Sequence, residues 1–259
     1  MEIKKFKKLK DNKYKVILDN DLEITLYDDV IVEYNLLSNK VMDEKKLTEI
    51  TSRNDSLDAY YKSLRYLNTK LRSKLELEKY LSKTFDKGIV KSTLEKLEKD
   101  GYLNEEVYIS AYVNDQINLT LNGYHKIYKD LKNLGLTEEL ILKKLDTIPN
   151  DVWQEKIEKI VTKKLRGNHT SSSAHFKKKL NNDLYNSGYS HDLITEMLSK
   201  LELEDDIEIV TKEGNKLLKK YSKKYENEKL DYTVRIKLLQ KGFSSCMVEE
   251  FMAKKNTNY

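Results

Sequence analysis

The stretch "LNGYHKIYKDLKNLGLTEELILKKL", residues 121–145, recurs twice in altered form further along the chain. "LNNDLYNSGYSHDLITEML" (180–198) and "VRIKLLQKGFSSCMVEEFM" (234–252) keep the same order of helix pattern, glycine, hydroxyl and helix pattern. The glycines, Gly135, Gly188 and Gly242, lie 53 and 54 residues apart. A period of about 50 residues with helical content is typical of stacked repeats of roughly three helices each.

Around each glycine, apolar residues recur at helical spacing. They lie eight and four positions before the glycine, and one, five, six and ten positions after it. The pattern predicts a helix that the glycine ends in the left-handed conformation. A following Thr137, Ser190 or Ser244 is then expected to cap the next helix. Gly88, 47 residues before Gly135, is a weaker fourth landmark, and its repeat is expected to have a longer turn.

The first forty residues follow a different period. Tyr14, Val16 and Leu18 alternate with polar residues, as do Leu22, Ile24 and Leu26, and the turn cluster 19–21 separates them. This alternation predicts a β-hairpin. Val30–Val32 could add a third strand or begin a short helix.

Composition favours a mostly helical protein, because a chain of 259 residues has one proline and eight glycines. Apolar residues make up 39% and charged residues 35%, which predicts extensive solvated faces. Cys246 is the single cysteine, so an internal disulfide is excluded and a reducing cytoplasm is expected. No apolar run approaches the roughly 20 residues of a membrane span, and the basic start lacks the apolar segment of a secretory signal.

These observations predict a mostly α fold of tandem three-helix repeats, forming an elongated curved solenoid with a small N-terminal β-hairpin region. The predicted division is 1–55 for the β-hairpin region and 56–107, 108–155, 156–210 and 211–259 for repeats 1 to 4.

No pattern of catalytic or metal-binding residues is present, so no enzyme, cofactor or metal site is predicted. His125, His169, His175 and His191 are scattered and predicted to be solvated. Cys246 is expected to pack in the core. The carboxylates of "LEDDIE" (203–208) are interpreted as a solvated turn or helix end, and no phosphate-binding glycine motif occurs.

Positive charge is concentrated after residue 60. Residues 1–60 carry 11 Lys+Arg and 13 Asp+Glu, whereas the remainder carries 37 and 30. Residues 156–181 hold eight basic residues and one acid, Glu158. Because Ile157, Ile160 and Val161 have core spacing, the lysines there are expected to point outward. Residues 212–237 hold nine basic residues and four acids.

Two basic clusters, 163–166 and 177–179, flank the small polar loop "GNHTSSS" (167–173). Helices joined by a short loop run antiparallel, which is expected to bring both clusters to one end of the repeat without intervening acids. Such a surface could bind phosphates, although a solvated helix face is the competing interpretation. Interleaved tyrosines could stack on bases or lie in the buried stripes: Tyr124, Tyr128, Tyr185, Tyr189, Tyr221 and Tyr225.

Three passages, one of them part of the first repeated stretch, resemble the RecX family, bacterial regulators of the RecA recombinase. They are "LRYLNTKLRSKLELEKYL" (64–81), "LEKLEKDGYLNEEVYISAYV" (94–113) and "LNGYHKIYKDLKNLGLTEELI" (121–141). In the first, Lys70, Arg72, Ser73, Glu76 and Leu77 stand at places characteristic of the family's opening repeat. The resemblance covers about residues 10–255. Tyr124, Lys70 and Glu105 stand where proline, arginine and aspartate are common.

The resemblance implies a non-enzymatic protein that lies in the helical groove of RecA filaments on single-stranded DNA, and a cytoplasmic monomer is expected. It implies inhibition or modulation of RecA ATPase, recombinase and co-protease activity, affecting recombination and the SOS response. Single-stranded DNA, and double-stranded DNA as a further candidate, are the other implied partners. A RecA-independent, sequence-unspecific DNA-binding protein of helix-turn-helix-like repeats is the alternative, and a helical scaffold for a protein partner is a third. Candidate RecA- or DNA-binding residues are Lys70, Arg72, Lys74, Lys126, Lys129, Lys163, Lys164, Arg166, Lys177, Lys178 and Lys179.

Overall fold

Alternating apolar residues near the N-terminus form a three-stranded antiparallel sheet in the computed structural model, which describes residues 1–166, 170–203 and 206–257. The strands are β1 (Ile3–Lys8), β2 (Lys13–Leu18) and β3 (Glu23–Tyr27), in that order. The predicted hairpin is confirmed as β2 and β3, with Asp21 at φ +61° in its turn. The sequence pattern does not predict β1, because a shift of register between Ile3 and Lys5 breaks its period of two.

Helices make up most of the rest of the described chain. They are α1 (Asp28–Glu33), α2 (Glu44–Leu67), α3 (Lys74–Leu81), α4 (Lys87–Lys99), α5 (Glu105–Leu119), α6 (Tyr124–Asn133), α7 (Glu138–Leu145), α8 (Asn150–Arg166), α9 (Ser173–Asn186), α10 (His191–Ser199), α11 (Asp206–Tyr221), α12 (Asn227–Gln240) and α13 (Ser245–Thr257). A mostly helical fold with a small N-terminal β region is thereby confirmed, and Val30–Val32 lie in α1. Within the described ranges, every helix is too short or too polar to cross a membrane.

The chain forms two compact units. The N-terminal unit comprises residues 1–110 and 133–140, and the C-terminal unit comprises 111–132 and 141–259. From α2 onward the described helices fall, in chain order, into four sets of three. The predicted repeat boundaries lie inside α2, α5, α8 and α11, and the division into four repeats stays a prediction that this grouping supports.

The core of the N-terminal unit has two parts. Val16, Leu18 and Leu26 of the sheet pack against α1 and the first half of α2. Further along, Leu77 and Leu97 belong to a cluster of buried residues from α2, α3 and α4. Because apolar side chains of α2 contribute to both clusters, this 24-residue helix joins the sheet to the helices that follow it.

Asp58 ties the middle of α2 to the sheet. Its Oδ1 accepts hydrogen bonds from Lys13 Nζ at 2.8 Å and from the Tyr27 hydroxyl at 2.7 Å, and Lys62 Nζ lies 3.0 Å from Oδ2. Burial raises the pKa of this carboxyl, but the hydrogen bonds outweigh burial and lower its pKa from 3.8 to about 2.

Replacing Asp58 with asparagine should destabilise the protein in a pH-dependent way. Because the folded state lowers the pKa of Asp58, its contribution is fully present above the unfolded pKa and is lost as the pH falls toward about 2. The variant should lose about 2 kcal/mol of unfolding free energy near neutral pH and about half that near pH 3. Urea denaturation at both pH values measures the difference, and a loss of equal size at both would contradict this account.

The three repeated glycines each end a helix, as predicted. Gly135, Gly188 and Gly242 have φ of +77°, +88° and +84°, and they follow α6, α9 and α12. The apolar residues eight and four positions before each of them are buried. Two predicted caps are confirmed, because Ser190 Oγ accepts from the Leu193 N–H at 3.4 Å and Ser244 Oγ accepts from the Met247 N–H at 3.3 Å. The Thr137 backbone N–H donates to Glu105 Oε2 at 3.1 Å.

Each of these glycines lies against the start of another helix, and at Gly188 and Gly242 the approach is too close for a side chain. A Cβ atom on Gly188 would lie 2.3 Å from the backbone nitrogen of Lys126, in the first turn of α6. On Gly242 it would lie 2.6 Å from the Cβ of His175, at the start of α9, and on Gly135 it would lie 3.4 Å from the Cβ of Leu75, at the start of α3. The glycine that ends the second helix of one set of three therefore packs on the start of the second helix of the preceding set.

Backbone hydrogen bonds reinforce the contact at Gly188. The Gly123 N–H donates to the Ser187 carbonyl at 2.7 Å, and the His125 N–H donates to the Gly188 carbonyl at 2.9 Å. These bonds satisfy amide groups at the start of α6 that have no partner within the helix. A Cβ on Gly123 would also lie 2.6 Å from the carbonyl of Gly188, so both glycines are required at this contact.

Gly88 does not mark the end of a helix. It lies in the first turn of α4, where a Cβ would meet open space. Helix α3 already ends at Leu81, and the residue with positive φ in this region is Gly101, which follows α4 at φ +81°. Position 88 was therefore the wrong landmark for the first repeat.

Candidate nucleic-acid interface

Basic residues of α8 fall into two groups. Lys163, Lys164 and Arg166, in its last turn, are exposed as predicted. Lys156 was expected to point outward but is only 4% exposed. Burial lowers the pKa of its ammonium, and repulsion from Lys159 lowers it further.

Buried Lys156 holds the end of α5. Its Nζ donates to the backbone carbonyls of Gln116 at 2.9 Å and Thr120 at 2.7 Å. Lysine side chains commonly satisfy the last carbonyls of a helix in this way. Lys156 therefore has a structural role and is not part of a DNA-binding surface.

A cleft of about 620 Å³ lies beside the exposed end of α8. Its lining includes Lys163 and Lys164 of α8, Asn186 of α9, and Asn122 of the segment between α5 and α6. We call it the α8–α9 cleft. Lysine ammonium groups can contact phosphates, and side-chain amides can donate to phosphate oxygens or to base edges.

One side of α9 presents basic, amide and aromatic groups to solvent. We call this surface the α9 face, and its members are the exposed residues Lys178, Lys179, Asn182, Tyr185 and Asn186. They share one side of the helix because each of the other four lies three or four residues from Asn182. Asn186 also lines the α8–α9 cleft, so the two features adjoin. Lys177, the third lysine of the predicted cluster, is only partly exposed.

The prediction that clusters 163–166 and 177–179 come together without an intervening acidic residue is wrong. Lys164 Nζ lies 2.6 Å from Asp183 Oδ2, and Asp183 follows Lys179 by one turn of α9. An acid therefore interrupts the basic surface and neutralises one of its lysines. The joining loop lies partly outside the described residues, because Gly167, Asn168 and His169 are not among them.

Of the six tyrosines considered as stacking platforms, Tyr185 alone is exposed, at 67%. Tyr189 is buried, and its hydroxyl donates to the Leu121 carbonyl at 2.8 Å. Burial and a hydrogen bond to Asp146 raise the pKa of Tyr124 to about 12. Tyr128, Tyr221 and Tyr225 are half-buried, so Tyr185 is the one of these six tyrosines that is free to stack on a base.

Two further candidates lie on α6. Lys126 Nζ forms an ion pair with Asp130 Oδ1 at 2.7 Å, and its backbone lies against Gly188. Lys129 is exposed. The structure therefore gives Lys126 a local partner and leaves the side chain of Lys129 in solvent.

Of the three candidate binding residues in the N-terminal unit, two have their charges engaged by neighbouring side chains and one is exposed. Arg72 Nη1 lies 3.5 Å from Glu76 Oε1, and its guanidinium lies 4.3 Å from the centre of the Tyr66 ring. Lys74 Nζ forms an ion pair with Glu98 at 2.7 Å. Lys70 is exposed in the segment between α2 and α3.

In the second basic run, residues 212–237, several basic side chains contact neighbouring carboxylates or tyrosine rings. Lys216 lies 3.5 Å from Glu213, and Arg235 lies 3.2 Å from Glu249. The ammonium groups of Lys220 and Lys229 lie over the rings of neighbouring tyrosines. This run is therefore a weaker candidate than the α9 face.

Residues considered for catalysis do not assemble into a site. His125, His175 and His191 are exposed as predicted, and the described residues include no group of histidine, cysteine and carboxylate side chains placed to hold a metal ion. The prediction for Cys246 was wrong, because this residue is exposed in the first turn of α13 rather than packed in the core. Asp206 begins α11 and accepts from the Ser173 N–H at 2.7 Å, whereas Glu204 and Asp205 lie outside the described residues.

The candidate binding residues derived from the sequence do not include the asparagines of this interface. Asn182 and Asn186 follow Lys178 by four and eight residues, so helical spacing alone could have placed them beside it. Asn122 could not be found this way, because its position in the cleft depends on the packing of α8 and α9 near the end of α5.

Curated relatives extend over nearly the whole chain. The chain is 26% identical over 252 residues to Regulatory protein RecX of Listeria monocytogenes serotype 4b, covering 95% of this chain and 93% of the relative. It is 30% identical over 231 residues to Regulatory protein RecX of Bacillus cytotoxicus, covering 87% and 85%. No model of a protein family matches the chain.

Solved structures agree with the fold. A crystal structure of regulatory protein RecX aligns with a TM-score of 0.64 at 24% identity, covering 77% of this chain and 99% of that one. The crystal structure of RecX from Lactobacillus salivarius gives 0.53 at 23% identity, covering 57% and 97%. At these identities the likeness speaks to the fold alone.

Proposed function

The chain belongs to the RecX family of regulatory proteins, and on that premise we propose that it binds RecA filaments on single-stranded DNA and lowers their activity. The similarity to Regulatory protein RecX over 87% of the chain carries this proposal. The protein lies in the helical groove of the filament, inhibits or modulates the ATPase, recombinase and co-protease activities of RecA, and thereby affects recombination and the SOS response. It acts without catalysis of its own, as a cytoplasmic monomer.

Within this proposal, the α9 face and the α8–α9 cleft hold the DNA. Lys163, Lys178 and Lys179 contact phosphates, since each neutralised phosphate releases counterions. Tyr185 stacks on a base, which favours a single strand because duplex bases are already stacked. Asn182 and Asn186 add hydrogen bonds. Lys70 and Lys129 are further exposed cations that can face the filament.

Co-sedimentation separates this proposal from its alternatives. The protein is mixed with RecA filaments on poly(dT), with RecA alone, and with poly(dT) alone. The proposal expects the strongest retention on the filaments. Equal retention on poly(dT) with and without RecA would favour a DNA-binding protein that acts independently of RecA, a second candidate that the α9 face supports. Retention by RecA without DNA would favour a scaffold for a protein partner.

Replacing Tyr185 with alanine should lower the affinity for single-stranded DNA by about five- to ten-fold, because one base loses its stacking partner. Tyr185→Phe keeps an aromatic face and should bind like wild type. Tyr232→Ala removes a tyrosine of equal exposure, 67%, from α12 and serves as the matched control. Fluorescence anisotropy with labelled oligo(dT) measures all three. Equal affinity of Tyr185→Ala and Tyr232→Ala would exclude a stacking role.

A further inference from the structure

A groove of about 630 Å³ lies within the N-terminal unit and shares no lining residue with the α9 face or the α8–α9 cleft. It is formed by the end of α2, the segment that leads to α3, the turn after α4 and the start of α5. Residues 64–72 and 101–108 supply its lining. Two stretches far apart in the sequence thus meet to form one concave surface.

The groove exposes large apolar side chains. Leu71 is 55% exposed, Tyr102 53% and Val107 55%, and all three line the groove. Single exposed apolar residues are common on protein surfaces. Three that share one concavity are typical of a binding site, because burying them against a partner is favourable.

The charge of the groove is positive. Its charged lining residues are Arg65 and Arg72, and none of the residues that line it is acidic. Arg65 is exposed and forms no ion pair with any described residue. The partial contact of Arg72 with Glu76, at 3.5 Å, leaves the groove with an uncompensated cation at its rim. A carboxylate on a bound partner would complement Arg65.

Polar groups suited to a peptide backbone accompany these side chains. Asn68, at the end of α2, is exposed, and its carboxamide can both donate and accept a hydrogen bond. Leu71 and Val107 are aliphatic, which suits an aliphatic or aromatic side chain rather than a stacked base. Two arginines are also few for a surface that follows a phosphate backbone.

We propose that this groove docks a short protein segment that carries a large apolar side chain and, within a few residues, a carboxylate. The apolar side chain packs on Leu71, Tyr102 and Val107, the carboxylate pairs with Arg65, and Asn68 binds the segment's backbone. This inference rests on the proposed function, since the segment belongs to the protein subunits of the filament and not to its DNA. The groove is then the protein-binding contact, and the α9 face is the DNA-binding contact.

Two variants test the groove, and one variant controls for surface change. Val107→Asp places a carboxylate among the apolar side chains, and Arg65→Glu reverses the charge at the rim. Val32→Asp makes the same change as the first at a residue of α1 that is 73% exposed and does not line the groove. Co-sedimentation with RecA filaments on poly(dT), and with poly(dT) alone, gives the affinities.

The groove proposal expects Val107→Asp and Arg65→Glu to bind filaments about ten-fold more weakly or worse, while binding poly(dT) like wild type. Val32→Asp should match wild type in both assays. If both groove variants bind filaments like wild type, the groove proposal is overturned while the proposed function stands. If the groove variants lose binding to poly(dT) in the absence of RecA, the groove binds DNA, and the groove proposal is likewise overturned. Failure of the wild type to bind filaments would overturn the proposed function and the groove proposal together.

Photo-crosslinking identifies the occupant directly and does not depend on loss of binding. The photoreactive residue p-benzoyl-phenylalanine replaces Leu71, which is exposed enough to accept it, and replaces Val32 in the control. Irradiation of filaments carrying the Leu71 probe should yield a covalent adduct with RecA protein, which the Val32 probe does not give. Adducts with DNA, or with a second copy of this chain, in place of the RecA adduct would overturn the assignment.

Discussion

Gly188→Ala is expected to lower the unfolding free energy by about 3 kcal/mol or more. Alanine at φ +88° is strained, at a cost of about 1 kcal/mol. In addition, its Cβ would lie 2.3 Å from the backbone nitrogen of Lys126, so the start of α6 must move, which typically costs a further 1 to 3 kcal/mol. Urea denaturation followed by circular dichroism measures the change.

Two other glycines provide matched controls for Gly188. Gly101 has a similar φ, +81°, but a Cβ there meets open space. Gly101→Ala should therefore lower the unfolding free energy by only the backbone strain of alanine at positive φ, about 1 kcal/mol. Gly88 lies in a helix with open space around it, so Gly88→Ala should stabilise by several tenths of a kcal/mol. If Gly188→Ala and Gly101→Ala unfold at the same urea concentration, the close approach to α6 does not matter and this account of the repeat contact is wrong.

Reversing two charges on the α9 face should weaken binding to single-stranded DNA by about ten- to hundred-fold at low salt. The variant combines Lys178→Glu with Lys179→Glu and leaves the half-buried Lys177 in place. Because both side chains are exposed, helicity and the unfolding midpoint should stay near those of wild type. Loss of two phosphate contacts should also lower the slope of log affinity against log salt by roughly 1.4. Anisotropy titrations across a range of salt concentrations give both quantities.

The matched control reverses two exposed lysines of β1. Lys7→Glu with Lys8→Glu changes the net charge equally, but within residues 1–60, where acids already outnumber basic residues. This control should bind like wild type. Asp183→Asn should raise the affinity for single-stranded DNA, because it frees Lys164 from its ion pair and removes a negative charge from the surface. If the α9 variant and the β1 control lose equal affinity, net charge rather than the α9 face governs DNA binding.

Features set by local sequence were predictable. The helix ends at Gly135, Gly188 and Gly242 follow from a glycine that adopts positive φ beside apolar stripes of helical spacing, and both signals lie within about ten residues. The hairpin of β2 and β3 follows from alternation and an intervening turn. Position 88 was misassigned because glycine alone does not distinguish the start of a helix from its end.

Features that depend on tertiary contacts were not predictable. Helical periodicity wrongly predicts that Lys156 is exposed. The contacts that bury it are with the carbonyls of Gln116 and Thr120, 40 and 36 residues earlier, and no local pattern indicates them. The pairing of Lys164 with Asp183 depends on how α8 and α9 cross, which the intervening loop does not specify. The groove joins residues 64–72 to 101–108, and no spacing within either stretch indicates that they meet.

The ATPase rate of RecA on single-stranded DNA, measured with and without this protein, shows whether the chain regulates RecA filaments. If this chain regulates RecA filaments, substoichiometric protein suppresses ATP hydrolysis, because each molecule acts on a filament of many subunits, and filament lifetime changes with it. An unchanged ATPase rate together with an unchanged filament lifetime, at equimolar protein, would contradict the claim that this chain regulates RecA filaments.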